Sequence, residues 1–525
     1  MRDKRISLIP QWVSHSVFYQ IFPDRFAKSN RSSKPSHLEP WSELPTTHGF
    51  KGGDLWGIIE KLDYLEDLGI NAIYLNPIFA SPSNHRYHTH DFFQVDPILG
   101  GNKALADLLD AAHSRGIRVI LDGVFNHTGR SFYQFAHTLE NGKHSPFIDW
   151  FYFNQSWLDT GAPINAYAIC EHLMHDKKTS LDRHGYQAWW DLPALPKLNT
   201  NNSQVREFIW SVAEYWIEFG IDGWRLDVPS EIDDDLFWRE FRNRVRAKNP
   251  EAYIVGEIWE DASRWLQGDQ FDGVMNYLFT RACIGFFSGQ NLNHEEIQKS
   301  SLKDVRPLSP IEFADQIQKI FGMYPFESTK AQLNLLGSHD TPRILSMFSG
   351  DKESLKMAYL CLMTSPGAPS IYYGDEVGMA GGQDPDCRRS FEWDELRWDQ
   401  ELRGFLKACI KIRRHETCLS RGLFKIAHAD HQVVAYNRYL EDQKPEQCSD
   451  IMVVFNTSYE SKSISLSFTH SHPIDDSSNF AINPFSGEEI TLIDNKSFDV
   501  TLPPRTGQIW VPNKRQIKNH LKSSP

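Results

Sequence analysis

The sequence has no CxxC pair. Its seven cysteines (Cys170, Cys283, Cys361, Cys387, Cys409, Cys418 and Cys448) are odd in number and scattered. That spacing argues against a disulfide framework and against a zinc site, and favours a reducing compartment. The N-terminal MRDKRISLIPQWVSHSVFYQ carries early positive charge but no apolar core, so it does not read as a secretory signal. Nowhere does an apolar run reach the length that spans a bilayer. Positive charge is also short: 55 Lys and Arg against 68 Asp and Glu give a net charge of −13. A surface built to grip nucleic acid or an anionic membrane is thereby disfavoured. No GxGxxG follows the first strand candidate, which weakens a dinucleotide-binding reading. Internal repeats and low-complexity segments are lacking as well. The expectation is a cytoplasmic chain with no nucleic-acid or membrane partner and a neutral or cationic ligand.

Aromatic residues, by contrast, are plentiful, with 16 Trp, 18 Tyr and 33 Phe. Such rings either fill a core or stack on sugar faces. From residue 17 onward, short β-branched or aromatic runs alternate with amphipathic stretches. The strand candidates are VFYQIFP (17–23), AIYLNPI (72–78), RVILDGVF (118–125), GWRLDV (223–228), YIVGEIW (253–259), VMNYLF (274–279), QLNLLGS (332–338) and PSIYYGD (369–375). Near-continuous apolar runs suit strands of a parallel sheet buried on both faces. Between them, helical patterns at 55–69, 102–116 and 203–220 end on Gly69, Gly116 and Gly220, and the last opens on Ser203 as its expected N-cap.

Eight strands with intervening helices predict an α/β fold, a (β/α)8 TIM barrel. More than about 70 residues separate strand 3 from the next helix, too many for a plain loop. They predict an inserted irregular domain after strand 3. Past residue 420, short alternating runs such as QVVAYNRYL and IMVVFNTS predict a C-terminal antiparallel β-sandwich domain. The expected division is 1–127 and 201–419 for the barrel, 128–200 for the insert, 420–515 for the sandwich and 516–525 for a tail.

Barrel active sites form where the strands end at their C-terminal face. Those ends carry Asp122, Asn126 and His127 after strand 3, Arg225 and Asp227 on strand 4, Glu257 after strand 5, and His339 and Asp340 after strand 7. Singly, Asp122 or Asn126 would serve as a cap and either histidine as a structural one. Together they place four acids at one mouth. Carboxyls with different neighbours hold different pKa values, which is what glycosidic cleavage requires of an acid and a nucleophile. Arg225 lies two residues before Asp227, on the same strand face, where its guanidinium would keep Asp227 ionised. Glu257 follows the apolar YIV run, a setting that raises a carboxyl pKa.

DGVFNH (122–127), GWRLDVPSE (223–231), GEIWEDA (256–262) and LLGSHDTPR (335–343) resemble the four short conserved regions of the α-amylase family, glycoside hydrolase family 13, in order and spacing. LPKLN (195–199) is similar to a fifth region of its neopullulanase, cyclomaltodextrinase and maltogenic amylase group. SNHRYHTHDFFQVDPILGG (83–101) and WLQGDQFDGVMNY (265–277) are similar to that group too, and the likeness spans about 12–515. The resemblance implies Asp227 as nucleophile, Glu257 as general acid/base and Asp340 as the carboxylate that stabilises the distorted sugar. It further implies Tyr87, Asp122, His127, Arg225 and His339 around the attacked glucose, gripped also by Asp384 and Arg388. Trp189, Trp190 and Trp259 are the candidate aromatic platforms.

The activity so implied is retaining hydrolysis of α-1,4 bonds, with α-1,6 bonds open, in maltooligosaccharides, cyclodextrins or related glucans, with some transglycosylation. An α-glucosidase (maltodextrin glucosidase) or 4-α-glucanotransferase is the alternative. A non-catalytic barrel would lack one of the carboxylates, and all three are present. No cofactor is required. Calcium is left open through Asn126, while AKSNRSSKPS (27–36) lacks the acidic calcium ligands of some relatives. Strand 1 at residue 17 implies a chain without the group's N-terminal β-domain, and leaves a homodimer open. Departures from the group are His88 in place of Asp, and Pro229–Ser230 in place of Ala-Asn.

Overall fold

The computed structural model describes residues 9–31, 34–161, 164, 166–167, 179–441, 450–470 and 479–512. Cys170, Cys448 and the tail at 516–525 lie outside them. Eight parallel strands follow the alternating runs: β1 (Phe18–Ile21), β2 (Ala72–Leu75), β3 (Arg118–Gly123), β4 (Gly223–Leu226), β5 (Tyr253–Gly256), β6 (Gly273–Val274), β7 (Leu333–Leu335) and β8 (Ala368–Tyr372). Their order is β6-β5-β4-β3-β2-β1-β8-β7, and a parallel bridge between Met275 and Leu333 joins the two ends. The sheet thus closes into the predicted barrel.

Strand parity sorts the side chains. Phe18, Ala72, Tyr74, Ile120, Tyr253, Val255, Met275, Leu333, Leu335 and Ala368 form one buried cluster inside the barrel. The alternate residues, among them Tyr19, Ile73, Val119, Trp224 and Ile254, belong to the larger core under the surrounding helices. Period-2 alternation with both faces buried accounts for the unbroken apolar runs. Gly223 is required where it stands: a Cβ there would lie 2.2 Å from the Tyr253 carbonyl oxygen. Along β1 to β4 the interior turns polar toward the strand ends, as Phe18 gives way to Gln20, Ile120 to Asp122 and Gly223 to Arg225.

Several local expectations change. The run 274–279 is strand only at its start, because the Asn276 side chain accepts from Phe279 N and opens the helix Tyr277–Ser288. The pattern at 55–69 is two helices, Leu55–Ile59 and Leu62–Leu68, the second ending on Gly69 at φ 95°. The helix at 102–116 spans Gly101–His113 and is capped by Ser114, with Gly116 beyond it at φ 70°. Asn202, rather than Ser203, caps Ser203–Phe219: its side chain accepts from Gln204 N.

After β3 comes a stretch of short helices and isolated bridges, with Tyr133–Asn141 the longest helix among its described residues. Its bridge His127–Lys197 ties the exit from β3 to the LPKLN segment, and Phe151–Leu198 ties the middle of the insert to the same segment. Beyond the barrel, β9 (Leu423–Ala429), β10 (Val433–Tyr439), β11 (Asp450–Asn456), β12 (Lys462–Ser467), β13 (Phe480–Ile482), β14 (Glu489–Thr491), β15 (Ser497–Leu502) and β16 (Thr506–Pro512) are antiparallel. A six-stranded sheet, β9-β10-β11-β16-β13-β14, faces the pair β12-β15. Val433, Met452 and Trp510 of the first meet Leu466, Phe498 and Val500 of the second in a separate core.

Candidate active site

Register brings the predicted groups together. Asp122 on β3 lies directly across from Arg225 on β4, and Arg225 across from Val255 on β5, two residues before Glu257. Arg225 is fully buried and becomes the hub. Its Nη1 donates to Asp122 Oδ1 at 2.8 Å and to Asp227 Oδ1 at 2.8 Å. Nη2 lies 2.9 Å from Glu257 Oε2 but is outside hydrogen-bond geometry with any described residue. One cation therefore serves three carboxyls and is bonded to only two of them. The Asp122 side chain is wholly sealed, whereas those of Asp227, Glu257 and Asp340 are 8%, 6% and 31% exposed.

Burial raises the pKa of all three carboxyls around Arg225, and strongly so for Asp227, with the guanidinium pulling against it in each case. For Glu257 the Asp340 charge adds to the rise. Three buried carboxyls around one guanidinium cannot all ionise without unbalanced charge, which favours the protonated form within the cluster.

A second set of bonds joins β1, β2 and the turn after β2 to the loop after β7. Gln20 Nε2 lies 2.9 Å from His339 Nδ1, and Tyr87 Oη lies 2.6 Å from His339 Nε2. Tyr87 also donates to Asp122 Oδ2 at 3.0 Å, as Tyr74 does at 2.7 Å. Asn76 Nδ2 donates to Tyr87 Oη at 3.2 Å. Burial, reinforced by Arg388 and Arg225, holds the His339 pKa well below its ordinary value, so the ring is neutral and Nε2 carries the proton if Gln20 donates to Nδ1. Tyr87 follows Arg86, a buried arginine held at φ 61° with Nη1 donating to the Asn84 carbonyl and Nε 3.3 Å from Asp96. Left-handed backbone at a bulky residue marks a constrained turn, and here the turn aims Tyr87 into the site.

The other predicted residues line the same mouth. Arg388 donates from Nε to the His339 carbonyl at 2.9 Å, lies 3.3 Å from Asp340 Oδ1 and pairs with Asp384 at 3.1 Å. His127 is buried, and burial pushes its pKa down to about 3, leaving a neutral ring whose Nε2 has no partner among the described residues. Trp189 stacks on it at 5.3 Å and Trp190 on Trp189 at 4.6 Å, so a ladder of rings leads from His127 to the surface, where Trp190 is 75% exposed. Trp190 and Asp191 both have positive φ, 52° and 56°. Trp259 stands beside Glu257 rather than out along the cleft, with its indole stacked on Tyr277.

Asn126, the candidate cation ligand, lies at the exit from β3. Its Oδ1 is buried and unpartnered, but its carbonyl accepts from Leu198 N, and among the described residues no group of three His, Cys, Asp or Glu is arranged to hold a metal. In the segment after β1, the Lys34 ammonium pairs with Asp54, whose Oδ2 also accepts from Ser29. His88 carries no charge, because burial, Arg130 and His48 lower its pKa to about 4. Pro229–Glu231 forms a turn whose Glu231 carbonyl and carboxylate both accept from Lys197 Nζ at 3.1 Å.

Gln20, Tyr74, Asn76 and Tyr277 were not among the predicted residues. Gln20 and Tyr74 are legible by parity: each follows Phe18 or Ala72 by two positions and so faces inward from an otherwise apolar strand. Asn76, two further on from Tyr74, is legible by the same parity; Tyr277 carries no comparable sequence signal.

The chain matches the alpha amylase, catalytic domain family over residues 20–417. A cyclomaltodextrinase of Geobacillus thermopakistaniensis is 41% identical over 497 residues, 94% of this chain and 76% of that protein. Among solved structures, Ttha1563 of Thermus thermophilus superimposes with a TM-score of 0.85 at 45% identity, covering 96% of this chain and 100% of that one. The debranching enzyme of Nostoc punctiforme gives 0.81 at 45% identity, covering 96% and 99%.

Proposed function

The chain belongs to the α-amylase family, and from that premise we propose that it is a retaining α-glucan hydrolase of maltooligosaccharides and cyclodextrins. The observation that carries the reading is the sharing of Arg225 by Asp227 and Glu257 at the ends of adjacent strands. Two carboxyls held side by side at strand ends by one guanidinium support a retaining pair, one acting as nucleophile and the other as acid. Asp227 keeps Oδ1 on Arg225 and attacks the anomeric carbon with Oδ2. Glu257 passes its proton to the departing glycosidic oxygen as the C1–O bond breaks; Arg225, hydrogen-bonded to Asp227 and not to Glu257, favours the carboxylate on Asp227 against the burial that raises its pKa. The product is a β-glucosyl ester on Asp227 and a carboxylate on Glu257. Water then gives a proton to Glu257 and its oxygen to C1, releasing Asp227.

His127 Nε2, His339, Tyr87, Asp340, Asp384 and Arg388 hold the hydroxyls of the attacked glucose, and Asp122 fixes Arg225. The ladder Trp189–Trp190 carries sugars further out. An acceptor sugar in place of water gives transglycosylation. Cleavage of α-1,6 bonds is a second reading. It is favoured by the 45% identity to a debranching enzyme of which this chain covers 99%, against 76% of the cyclomaltodextrinase.

The test is a product time course on maltohexaose, β-cyclodextrin and pullulan, with Asp227→Asn as control. Ring opening with release of short α-anomeric products is expected. Retention by Asp227→Asn of more than about a thousandth of the wild-type rate would sink the nucleophile assignment. Accumulation of products longer than the substrate would replace hydrolase by transferase.

A further inference from the structure

Trp259, at the +2 position from Glu257, has the residue type of a sugar platform, yet its surroundings suit a different task. Its indole ring lies parallel to Tyr277 with centroids 3.5 Å apart and 5° between the planes, so that face is closed to any ligand. Tyr277 is itself buried, with its hydroxyl 3.2 Å from Ser338 Oγ. Arg281 Nη1 donates to the Trp259 carbonyl at 3.3 Å and also bonds Glu260, which fixes the backbone behind the ring. Held in this way, the indole Nε1 donates to Glu257 Oε1 at 3.0 Å.

The other carboxyl oxygen is held from the opposite side. Val228, the residue after Asp227, has φ 36° and ψ 50°, a left-handed conformation that is a genuine outlier for a β-branched side chain. That twist aims Val228 N at Glu257 Oε2, 3.1 Å away, where Arg225 Nη2 also approaches to 2.9 Å. Strain of this kind persists only where surrounding structure imposes it. Oε2 thus faces two donors and Oε1 one.

We propose that Trp259 is a positioning residue for Glu257: its N–H orients Oε1, the oxygen that carries the proton to the leaving group, and strengthens its hold as that oxygen becomes negative. The hydrogen bond grows stronger when the acceptor ionises, so Trp259 favours the carboxylate that forms in the first step and acts as base in the second. The groups that set the charge around Glu257 are Arg225 and Asp227 from β4, Tyr74 from β2, Asp340 after β7 and Tyr277. Trp259→Phe changes none of their charges and keeps a ring against Tyr277. It removes the donor together with the outline of the second ring.

The inference rests on the reading of Glu257 as the proton-carrying group, and the experiment separates the two. kcat/KM for p-nitrophenyl α-maltoside is followed against pH for the wild type, Trp259→Phe and Glu257→Gln. Loss of the donor should move the alkaline limb upward by about one pH unit and lower the plateau about tenfold. α-Maltosyl fluoride, whose leaving group takes no proton from Glu257, should lose far less. An unmoved alkaline limb together with a raised KM would overturn the inference in favour of a sugar platform. A Glu257→Gln enzyme that keeps its activity and its alkaline limb would instead overturn the acid assignment. If Trp259→Phe does not fold, benzothienylalanine at position 259 preserves the ring outline without the N–H, and the same shift is required of it.

Discussion

Arg225→Lys tests the hub directly. The guanidinium makes two hydrogen bonds of 2.8 Å from one nitrogen and stands 2.9 Å from a third carboxyl with the other. A lysine keeps the charge but is a single point donor on a flexible stem, unable to span Asp122, Asp227 and Glu257 together. Hydrogen bonds to charged groups contribute about 1.5–3 kcal/mol each. Losing one bond fully and weakening the rest costs about 2–4 kcal/mol of transition-state stabilisation, or roughly 30- to 1,000-fold in kcat/KM. The sign of the pH effect follows from Asp227. Burial raises its pKa and Arg225 opposes the rise; a poorer cation lets it rise further, so the nucleophile is protonated at higher pH. The acidic limb of kcat/KM should therefore shift to higher pH. Steady-state assays with p-nitrophenyl α-maltoside between about pH 4 and 9, with thermal unfolding to verify the fold, measure both quantities. A folded variant with wild-type kcat/KM and an unmoved acidic limb would refute the account of Arg225.

Asp227→Asn should abolish turnover without lowering the unfolding temperature at pH 7. A carboxyl whose folded pKa is raised contributes stability below its unfolded value near pH 4 and loses it as pH rises; the amide removes that penalty, so calorimetry at pH 7 should show a Tm equal to or above wild type, with the difference vanishing near pH 4. A drop of several degrees at pH 7 would contradict it. Trp190→Ala removes the exposed end of the ring ladder and should raise KM for maltohexaose roughly 2- to 10-fold, with KM for maltotriose unchanged. Arg413→Met should destabilise the fold by at least about 3 kcal/mol in urea unfolding, because the buried guanidinium donates to the carbonyls of Ser14, Met363, Ser365 and Gly367, four groups that would lose their donor.

The barrel was legible because parallel strands buried on both faces write themselves as apolar runs, and each of the eight runs overlaps a strand. The misplaced boundaries have local causes. VMNYLF is apolar throughout but for Asn276, whose side-chain bond to Phe279 N converts the second half into helix. Glu60 and Lys61 break the pattern at 55–69 without any glycine or proline to announce it. Capping by Asn202 instead of Ser203 is a one-residue choice between two residues that cap about equally well. Such outcomes depend on hydrogen bonds that periodicity does not record.

The candidate site divides along the same line. Asp122, Arg225, Asp227 and Glu257 were legible because strand register alone brings them together: Asp122 pairs with Arg225, and residues two apart share a face. The partners that set their behaviour were not. Val228 reads as an ordinary strand residue, and nothing in its type discloses the φ of 36° that turns its N–H onto Glu257. Trp259 reads as a platform because its type suits stacking, but the ring against it comes from residue 277, on the far side of β6. Sequence patterns identified which residues reach the mouth of the barrel. The donors that face the two oxygens of Glu257 are set by the backbone twist at Val228 and by the stacking of Trp259 on Tyr277, and those appear only when the chain is folded.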